Sequence, residues 1–241
     1  MLKHWASRLT VAVLAAALII VVAGGFATAS NMGFKLNKAL SRPVTGGAAD
    51  SGNNWLSIPF KNPYSGSPCT ISGVCYGAFC TQTALPALTT GLQDLDPNTG
   101  TTTNFTCGTA AANSRAITPG VGFRVRGNSV PASIIIVGSH DPAQVITLLA
   151  TSATKPDQGN LWFAVPYHTT AVTAADLCTQ AGMTALRATV RTVNASAGSG
   201  TTVTCGTATA GTLVLRLGEA ARLRDSSIVA PAVKTFIPAH F

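Results

Sequence analysis

The stretch GNNWLSIPF at Gly52–Phe60 decides the fold, because the chain repeats it as GNLWFAVPY at Gly159–Tyr167. Two shorter motifs recur in the same order after each copy: FCTQ at Phe79–Gln82 and LCTQ at Leu177–Gln180, then TCGTA at Thr106–Ala110 and again at Thr204–Ala208. Self-similarity on this scale is typical of chains built from repeated structural units. The sequence therefore predicts a tandem of two similar units.

The repeat also predicts two disulfide bonds. Six cysteines allow many pairings when the sequence is considered alone. Cys80 and Cys107 have the same spacing as Cys178 and Cys205, and each pair occupies equivalent positions in the two copies. Equivalent positions in two similar units should form equivalent bonds, so we expect Cys80–Cys107 and Cys178–Cys205.

The other two cysteines, Cys69 and Cys75, lie in a short insertion that the first copy carries between Phe60 and Phe79. An insertion with its own cysteine pair most simply closes its own loop. Metal ligation is the alternative, but zinc sites usually show closely spaced Cys or Cys/His pairs, and this chain has none. We therefore predict a third disulfide, Cys69–Cys75, and no metal site.

The N-terminus has the features of a signal peptide over residues 1–29. Lys3 and Arg8 precede an apolar run at Val11–Ala23, which is followed by the cleavage motif Ala27–Ala29. An uncleaved anchor is the alternative, because Thr10–Ala29 is about as long as a bilayer span. In both cases the cysteines face an oxidising compartment, so we predict a secreted, periplasmic or cell-surface protein. It would contact the membrane only if the N-terminal segment stays uncleaved.

Composition narrows the class of protein. Charged residues make up 10% of the chain, and Glu219 is its single glutamate. This composition argues against disorder and against a helical bundle, which would use many Glu and Lys residues. The net charge of +8 is scattered rather than clustered. Because nucleic-acid binders show a clustered basic patch, we predict no nucleic-acid partner. We also predict no cofactor.

Short β-like segments dominate the rest of the chain. The expected strands are Phe34–Lys38, Trp55–Phe60, Val121–Arg126, Ser133–Val137 and Val145–Leu149. The continuous apolar run at Ser133–Val137 indicates a strand buried on both faces.

Helices and turns complete this pattern. Ala174–Cys178 is the best candidate for a short helix, with Thr173 as its N-cap. Asp96–Gly100 and Ala197–Gly200 are predicted turns between strands. The predicted fold is all-β with short helices: two tandem β-sandwich-like domains over residues 30–142 and 143–241, the first with a disulfide-closed insertion near 61–78.

Several phrases of the chain resemble a family of secreted bacterial tandem-repeat β proteins. Those repeats run from a W-x-S-L-P-Y strand through D-P-x-T-G to a P-G-x-G-F strand. The first copy carries the last two motifs at Asp96–Gly100 and Pro119–Phe123, whereas the second copy has Leu217–Ala221 in place of the aromatic turn. Further matching phrases lie at Val137–Asp141, Pro166–Thr170 and Pro238–Phe241. The resemblance implies an extracellular or envelope location. Its motifs are structural signatures and indicate no particular activity.

The candidate catalytic residues do not form a recognisable site. Ser139, His140 and Asp141 are adjacent, but triad members are brought together by the fold, and neighbours on a strand point to opposite faces. The chain has no Gly-x-Ser-x-Gly elbow, and several aspartates lie in turn contexts that do not suit glycoside cleavage. His140 and His240 are equivalent positions but need not meet. We therefore predict that the protein is not an enzyme and has no catalytic residues.

One polar pattern is repeated in both copies. Arg124 and Arg126 match Arg222 and Arg224, and residues two apart on a strand share a face. This arrangement could bind an anion or a partner, because Arg recognises carboxylate and phosphate. Alternatively, these residues form the solvated outer face of an amphipathic strand. The repeated tryptophans Trp55 and Trp162 have two readings as well, as sugar-stacking platforms or as core residues.

Two functions follow from these observations. The first is a structural or assembling surface protein, in which uncharged β repeats associate through their edge strands with copies of the same chain. The second is a binding module for an anionic polysaccharide or another envelope or matrix polymer, through the arginine faces or through the insertion at residues 61–78. An enzyme is a distant third.

Overall fold

The computed structural model describes residues 34–58, 64, 66–138, 144–165 and 169–239. In this part of the chain, the first repeat contains strands β1 Phe34–Ala39, β2 Asn54–Ser57, β3 Gly91–Asp96, β4 Thr101–Thr106, β5 Gly122–Arg126 and β6 Ser133–Gly138. The second contains β7 Ile146–Leu149, β8 Leu161–Phe163, β9 Ala188–Asn194, β10 Ser199–Thr204, β11 Ala221–Asp225 and β12 Val233–Phe236. Four short helices complete the described elements: α1 Tyr76–Gln82, α2 Ala110–Ser114, α3 Ala174–Gln180 and α4 Ala208–Thr212.

The two repeats have the same topology. The first forms a four-stranded sheet in the order β2-β5-β3-β4, and the second forms its counterpart in the order β8-β11-β9-β10. All neighbouring strands in these two sheets are antiparallel. Each repeat adds a two-stranded sheet, β1-β6 or β7-β12. The prediction of a mainly β fold with short helices, built as two similar units, is confirmed. Residues Lys35–Phe241 form one compact unit, so the repeats pack against each other.

Each four-stranded sheet uses one face for the core of its own repeat. In the second repeat, Phe163, Val190 and Leu223 come from β8, β9 and β11 and pack with Leu177 of α3 and Leu148 of β7. Successive side chains of a strand point to opposite faces. Trp162 and Arg222, the sequence neighbours of Phe163 and Leu223, therefore lie on the face turned away from that core.

The disulfides fasten helices to the sheets. Cys80 in α1 is bonded to Cys107 just after β4, and Cys178 in α3 is bonded to Cys205 just after β10. The third bond, Cys69–Cys75, closes the insertion directly before α1. These are the three pairs expected from the sequence, two from the repeat and one from the insertion.

The predicted N-cap of the second-repeat helix is confirmed. Thr173 accepts a hydrogen bond from the backbone N–H of Asp176, and the Asp176 carboxylate accepts from the backbone of Thr173 in return. This reciprocal capping box satisfies two backbone donors that the first helical turn would otherwise leave unpaired.

Two strand predictions need correction. Ser133–Val137 is not buried on both faces: Ile134 and Ile136 are buried, but Ile135 is 53% exposed. The reason is that β6 belongs to a two-stranded sheet, which covers only one of its faces. The strand predicted at Trp55–Phe60 ends at Ser57, and the last two residues of that prediction lie outside the described residues.

Candidate binding site between the repeats

The outer faces of the two four-stranded sheets meet at the repeated tryptophans. The indole rings of Trp55 on β2 and Trp162 on β8 stack with their centroids 3.7 Å apart. Trp162 is buried and Trp55 is partly buried, and both pack in a small cluster with Leu95, Val193 and Ala220. The tryptophans therefore form a core, but it is the core between the repeats rather than that of either one.

Contacts around this stack occur twice, with the roles of the repeats exchanged. The N–H of Gly52 donates to Ala195 O at 2.8 Å, and the N–H of the equivalent Gly159 donates to Pro97 O at 2.9 Å. The isolated bridge Leu56–Glu219 has its equivalent in Val121–Phe163. Reciprocity of this kind defines an isologous interface, as in a two-fold homodimer. Here both halves of the interface belong to one chain.

A cavity of about 180 Å³ lies beside the stacked rings. Equivalent residues of the two repeats line it in pairs: Asp50 with Asp157, Asn53 with Asn160, and Arg124 with Arg222. Arg191 of β9 lines it as well, at the position that Gln93 occupies in β3. The cavity thus has the same approximate two-fold symmetry as the interface around it.

The three guanidinium groups of the cavity differ in their partners. Arg191 donates from Nη2 to the carboxylate Oδ2 of Asp50 at 2.8 Å. Among the described residues, Arg124 and Arg222 have neither a hydrogen bond nor an ion pair. Burial lowers the pKa of both groups, and repulsion by neighbouring arginines lowers it further. Two half-buried positive charges therefore face the cavity without an ion pair to any described residue, although Asp50 attracts Arg124 and Asp157 attracts Arg222.

Three buried polar atoms around the cavity also lack partners within the described chain: Nε of Arg222 and Oδ1 of Asn53 and Asn160. The amide nitrogens of the two asparagines are used, because they donate to Asp50 Oδ1 at 3.1 Å and to Asp157 Oδ1 at 2.9 Å. Buried polar atoms are normally hydrogen-bonded, by protein or by ordered solvent. The cavity therefore offers both unused donors and unused acceptors.

The structure separates the four predicted arginines into two kinds. Arg124 and Arg222 line the same cavity, and both are half-buried, so the solvated outer-face interpretation does not describe them. Arg126 is exposed and lies outside the cavity. Arg224 donates from Nη1 to Pro156 O at 2.9 Å and does not line the cavity either.

Sequence reasoning missed the acidic and amide residues of the site. Their signal was present, because Asp-x-Gly-Asn occurs at Asp50–Asn53 and again at Asp157–Asn160, directly before each tryptophan motif. The repeated sequence therefore begins at Asp50 and Asp157, two residues before Gly52 and Gly159. Only the packing of the repeats shows that both tetrapeptides face one cavity.

The opposite edges of the four-stranded sheets are β4 and β10. In the part of the chain that the structure describes, residues 101–105 and 199–203 make backbone–backbone hydrogen bonds only with β3 and β9. Leu88 and Leu186 lie where the β3–β4 and β9–β10 hairpins end, and their N–H groups donate to Cys107 O and Cys205 O. Both leucines are 73% exposed and have left-handed φ angles of 61° and 62°.

The histidines and the Ser-His-Asp run considered from the sequence are not among the described residues. His140, His168 and His240 lie outside the described residues, as do Ser139 and Asp141. Within the described ranges, no group of three or more His, Cys, Asp or Glu side chains could hold a metal ion. In the same ranges, no helix has the length and apolar character needed to span a bilayer.

The chain was compared with protein-family models, with curated proteins and with solved structures, and none of them matches it.

Proposed function

We propose that the protein is a non-catalytic structural surface protein, secreted or bound to the cell envelope, that assembles with copies of itself through β4 and β10. The observation that carries this proposal is that both edge strands lack protection. Soluble proteins protect their sheet edges with charged residues, proline, bulges or covering elements.

Neither edge shows the usual protective features. The sequences TTTNFT of β4 and SGTTVT of β10 contain no charged residue and no proline. Each strand pairs with its neighbour through six consecutive residues, without a bulge. Such regular, uncharged edges are templates for pairing with another strand.

An exposed leucine at the end of each hairpin supports the same proposal. A left-handed conformation is unfavourable for leucine by about 1–2 kcal/mol, and a 73% exposed leucine gains little from burial in the monomer. The feature occurs at equivalent positions in both repeats, at Leu88 and Leu186. Contact with a second copy at the ends of the hairpins would bury these side chains.

The number of edges determines the kind of assembly. Each chain has one such edge in each repeat, so pairing of β4 from one copy with β10 of the next leaves a free edge at both ends. A head-to-tail contact of this kind produces rings when it closes and filaments when it does not.

The three disulfides support the proposed location, because disulfides persist in oxidising compartments. The disulfides do not distinguish secretion from retention at the envelope.

Electron microscopy and size-exclusion chromatography of the oxidised protein test the assembly. We expect ordered oligomers or filaments from the wild type and monomers from the double variant Thr103→Lys, Thr201→Lys, because each new charge lies in the middle of an edge. The matched control is Thr81→Lys, Thr179→Lys, which adds the same charge at equivalent exposed positions of α1 and α3. A monomeric wild type at high concentration would overturn the proposal.

A second function is favoured by a separate observation. The half-buried guanidinium groups of Arg124 and Arg222 have no partner among the described residues. We propose, as the alternative, an extracellular binding module for an anionic polysaccharide or another envelope polymer. Pull-down of acidic and neutral polysaccharides by the Thr103→Lys, Thr201→Lys variant tests this function in a protein that does not assemble.

A further inference from the structure

We infer that the cavity between the repeats binds one acidic sugar residue, whose carboxylate is received by Arg124 and Arg222 and whose hydroxyl groups donate to Asn53 and Asn160. This inference rests on the proposed binding function and specifies its ligand. It does not depend on the proposed assembly, because edge pairing would use the backbone of β4 and β10, whereas the ligand is held by the side chains of Arg124, Arg222 and the two asparagines. Thr102 is the residue of β4 that lines the cavity.

The charges of the cavity call for an anion. Arg191 is neutralised by Asp50, to which it is hydrogen-bonded at 2.8 Å. Asp157 attracts Arg222 but makes no ion pair with it, and Arg124 has no ion pair either. A half-buried guanidinium without a partner is unfavourable, and a planar fork of donors matches a carboxylate well.

The unpaired side-chain oxygens of Asn53 and Asn160 require a ligand that also carries hydrogen-bond donors. Oδ1 of Asn53 and Oδ1 of Asn160 accept hydrogen bonds, so a ligand that carries only acceptors leaves both of them unsatisfied. Both asparagines are at least nine-tenths buried, with 4% and 1% of their surfaces exposed. A ligand with hydroxyl groups next to its carboxylate supplies the donors that these oxygens need.

The size of the site, about 180 Å³, suits a small ligand such as a single sugar residue. This is below the range of about 300–1,000 Å³ typical of pockets for drug-sized ligands. Asp157 at the rim is exposed, so the cavity can be reached from solvent.

Isothermal titration calorimetry of the oxidised protein at low salt tests the ligand. The probes are galacturonate, neutral galactose and inorganic phosphate. We expect galacturonate to bind at least tenfold more tightly than either of the others, because galactose lacks the carboxylate and phosphate lacks the ring hydroxyls. Absence of galacturonate binding would overturn the inference, as would phosphate binding of equal strength, which would mark a simple anion site.

Variants test the position of the site. Arg124→Gln and Arg222→Gln should each weaken galacturonate binding at least tenfold, whereas Arg126→Gln, with the same change of charge outside the cavity, should stay within twofold. Circular dichroism of each variant excludes unfolding as the cause of a loss. Equal weakening by Arg126→Gln and Arg222→Gln would show that only general charge matters. The Thr103→Lys, Thr201→Lys variant should bind galacturonate normally, which separates this site from the assembly.

Discussion

The indole planes of Trp55 and Trp162 are within 5° of parallel, and the two residues occupy the same position in the two repeats. In a two-fold arrangement, a residue meets its own equivalent only at the axis. The tryptophans therefore mark the axis that relates the repeats. A second equivalent pair, Gly122 and Ala220, also meets there, because a Cβ atom on Gly122 would lie 2.6 Å from the Cβ atom of Ala220.

Substitution of Gly122 should separate the repeats locally. Gly122→Ala would also place its Cβ 2.6 Å from the Cβ of Trp162, so the sheets must move apart. We expect the free energy of unfolding in urea to fall by about 1–3 kcal/mol, as overpacked sites do. Gly211→Ala in α4 is the control, because nothing lies within 4 Å of its added Cβ. Equal stability of the two variants would contradict this account of the interface.

Removal of an unpartnered charge should not destabilise the free protein. Arg222→Gln removes a half-buried guanidinium whose pKa is lowered by burial and by repulsion from Arg191 and Arg224. We expect the melting temperature without ligand to be unchanged or higher. Arg191→Gln, which breaks the ion pair with Asp50, should instead cost up to about 1 kcal/mol. A clear loss of stability in Arg222→Gln would assign that residue a structural role.

Acid should destabilise the second repeat through Asp225. Burial alone would raise the pKa of this fully buried carboxyl, but hydrogen bonds from Ser227, Thr184 and Lys234 outweigh it and lower the pKa to about 2. The folded state thus binds the proton less readily than the unfolded state, so the stabilisation is complete above about pH 4 and is lost towards pH 2. It is on the order of 2 kcal/mol.

The comparison with Asp225→Asn isolates this effect. The variant should be less stable than the wild type at pH 7, and the difference between them should shrink as the pH falls from 4 to 2. Melting temperatures across this range measure it. A difference that does not change with pH would show that the carboxylate charge is not responsible.

The disulfide map can be checked by thiol chemistry. Cys178→Ala should leave one reactive thiol, on Cys205, because Cys205 loses its partner while the other two disulfides keep theirs. Loss of the loop closure should cost about 3–4 kcal/mol. Alkylation under denaturing conditions followed by mass spectrometry identifies the free thiol. Label on Cys69 or Cys75 would contradict the pairing.

Most of the fold could be predicted because the two repeats of the chain can be compared with each other. Equivalent motifs specify equivalent strands and bonds, so the pairing of Cys80 with Cys107 follows from that of Cys178 with Cys205. The one-sided burial of β6 could not be predicted, since an apolar run does not show how many layers cover it.

The candidate site was only partly predictable. Arg124 and Arg222 each lie on a strand in which Arg and apolar residues alternate, so the arginines share one face. When one repeat is considered alone, that face is predicted to be solvated. Its burial arises from the contact between the repeats, which depends on three-dimensional packing. The repeated Asp-x-Gly-Asn tetrapeptides were the sequence signal of the aspartates and asparagines of the cavity.

The reciprocal contacts of Gly52 and Gly159 join two repeats of one chain, so the interface between them persists when the protein is diluted. A single repeat would leave its tryptophan uncovered and would have to find a second copy by diffusion. In this chain the partner is tethered, and a short tether gives an effective concentration in the millimolar range. Association of the two halves is then independent of protein concentration. Each half is also free to diverge, as Glu219 and the Cys69–Cys75 loop already show.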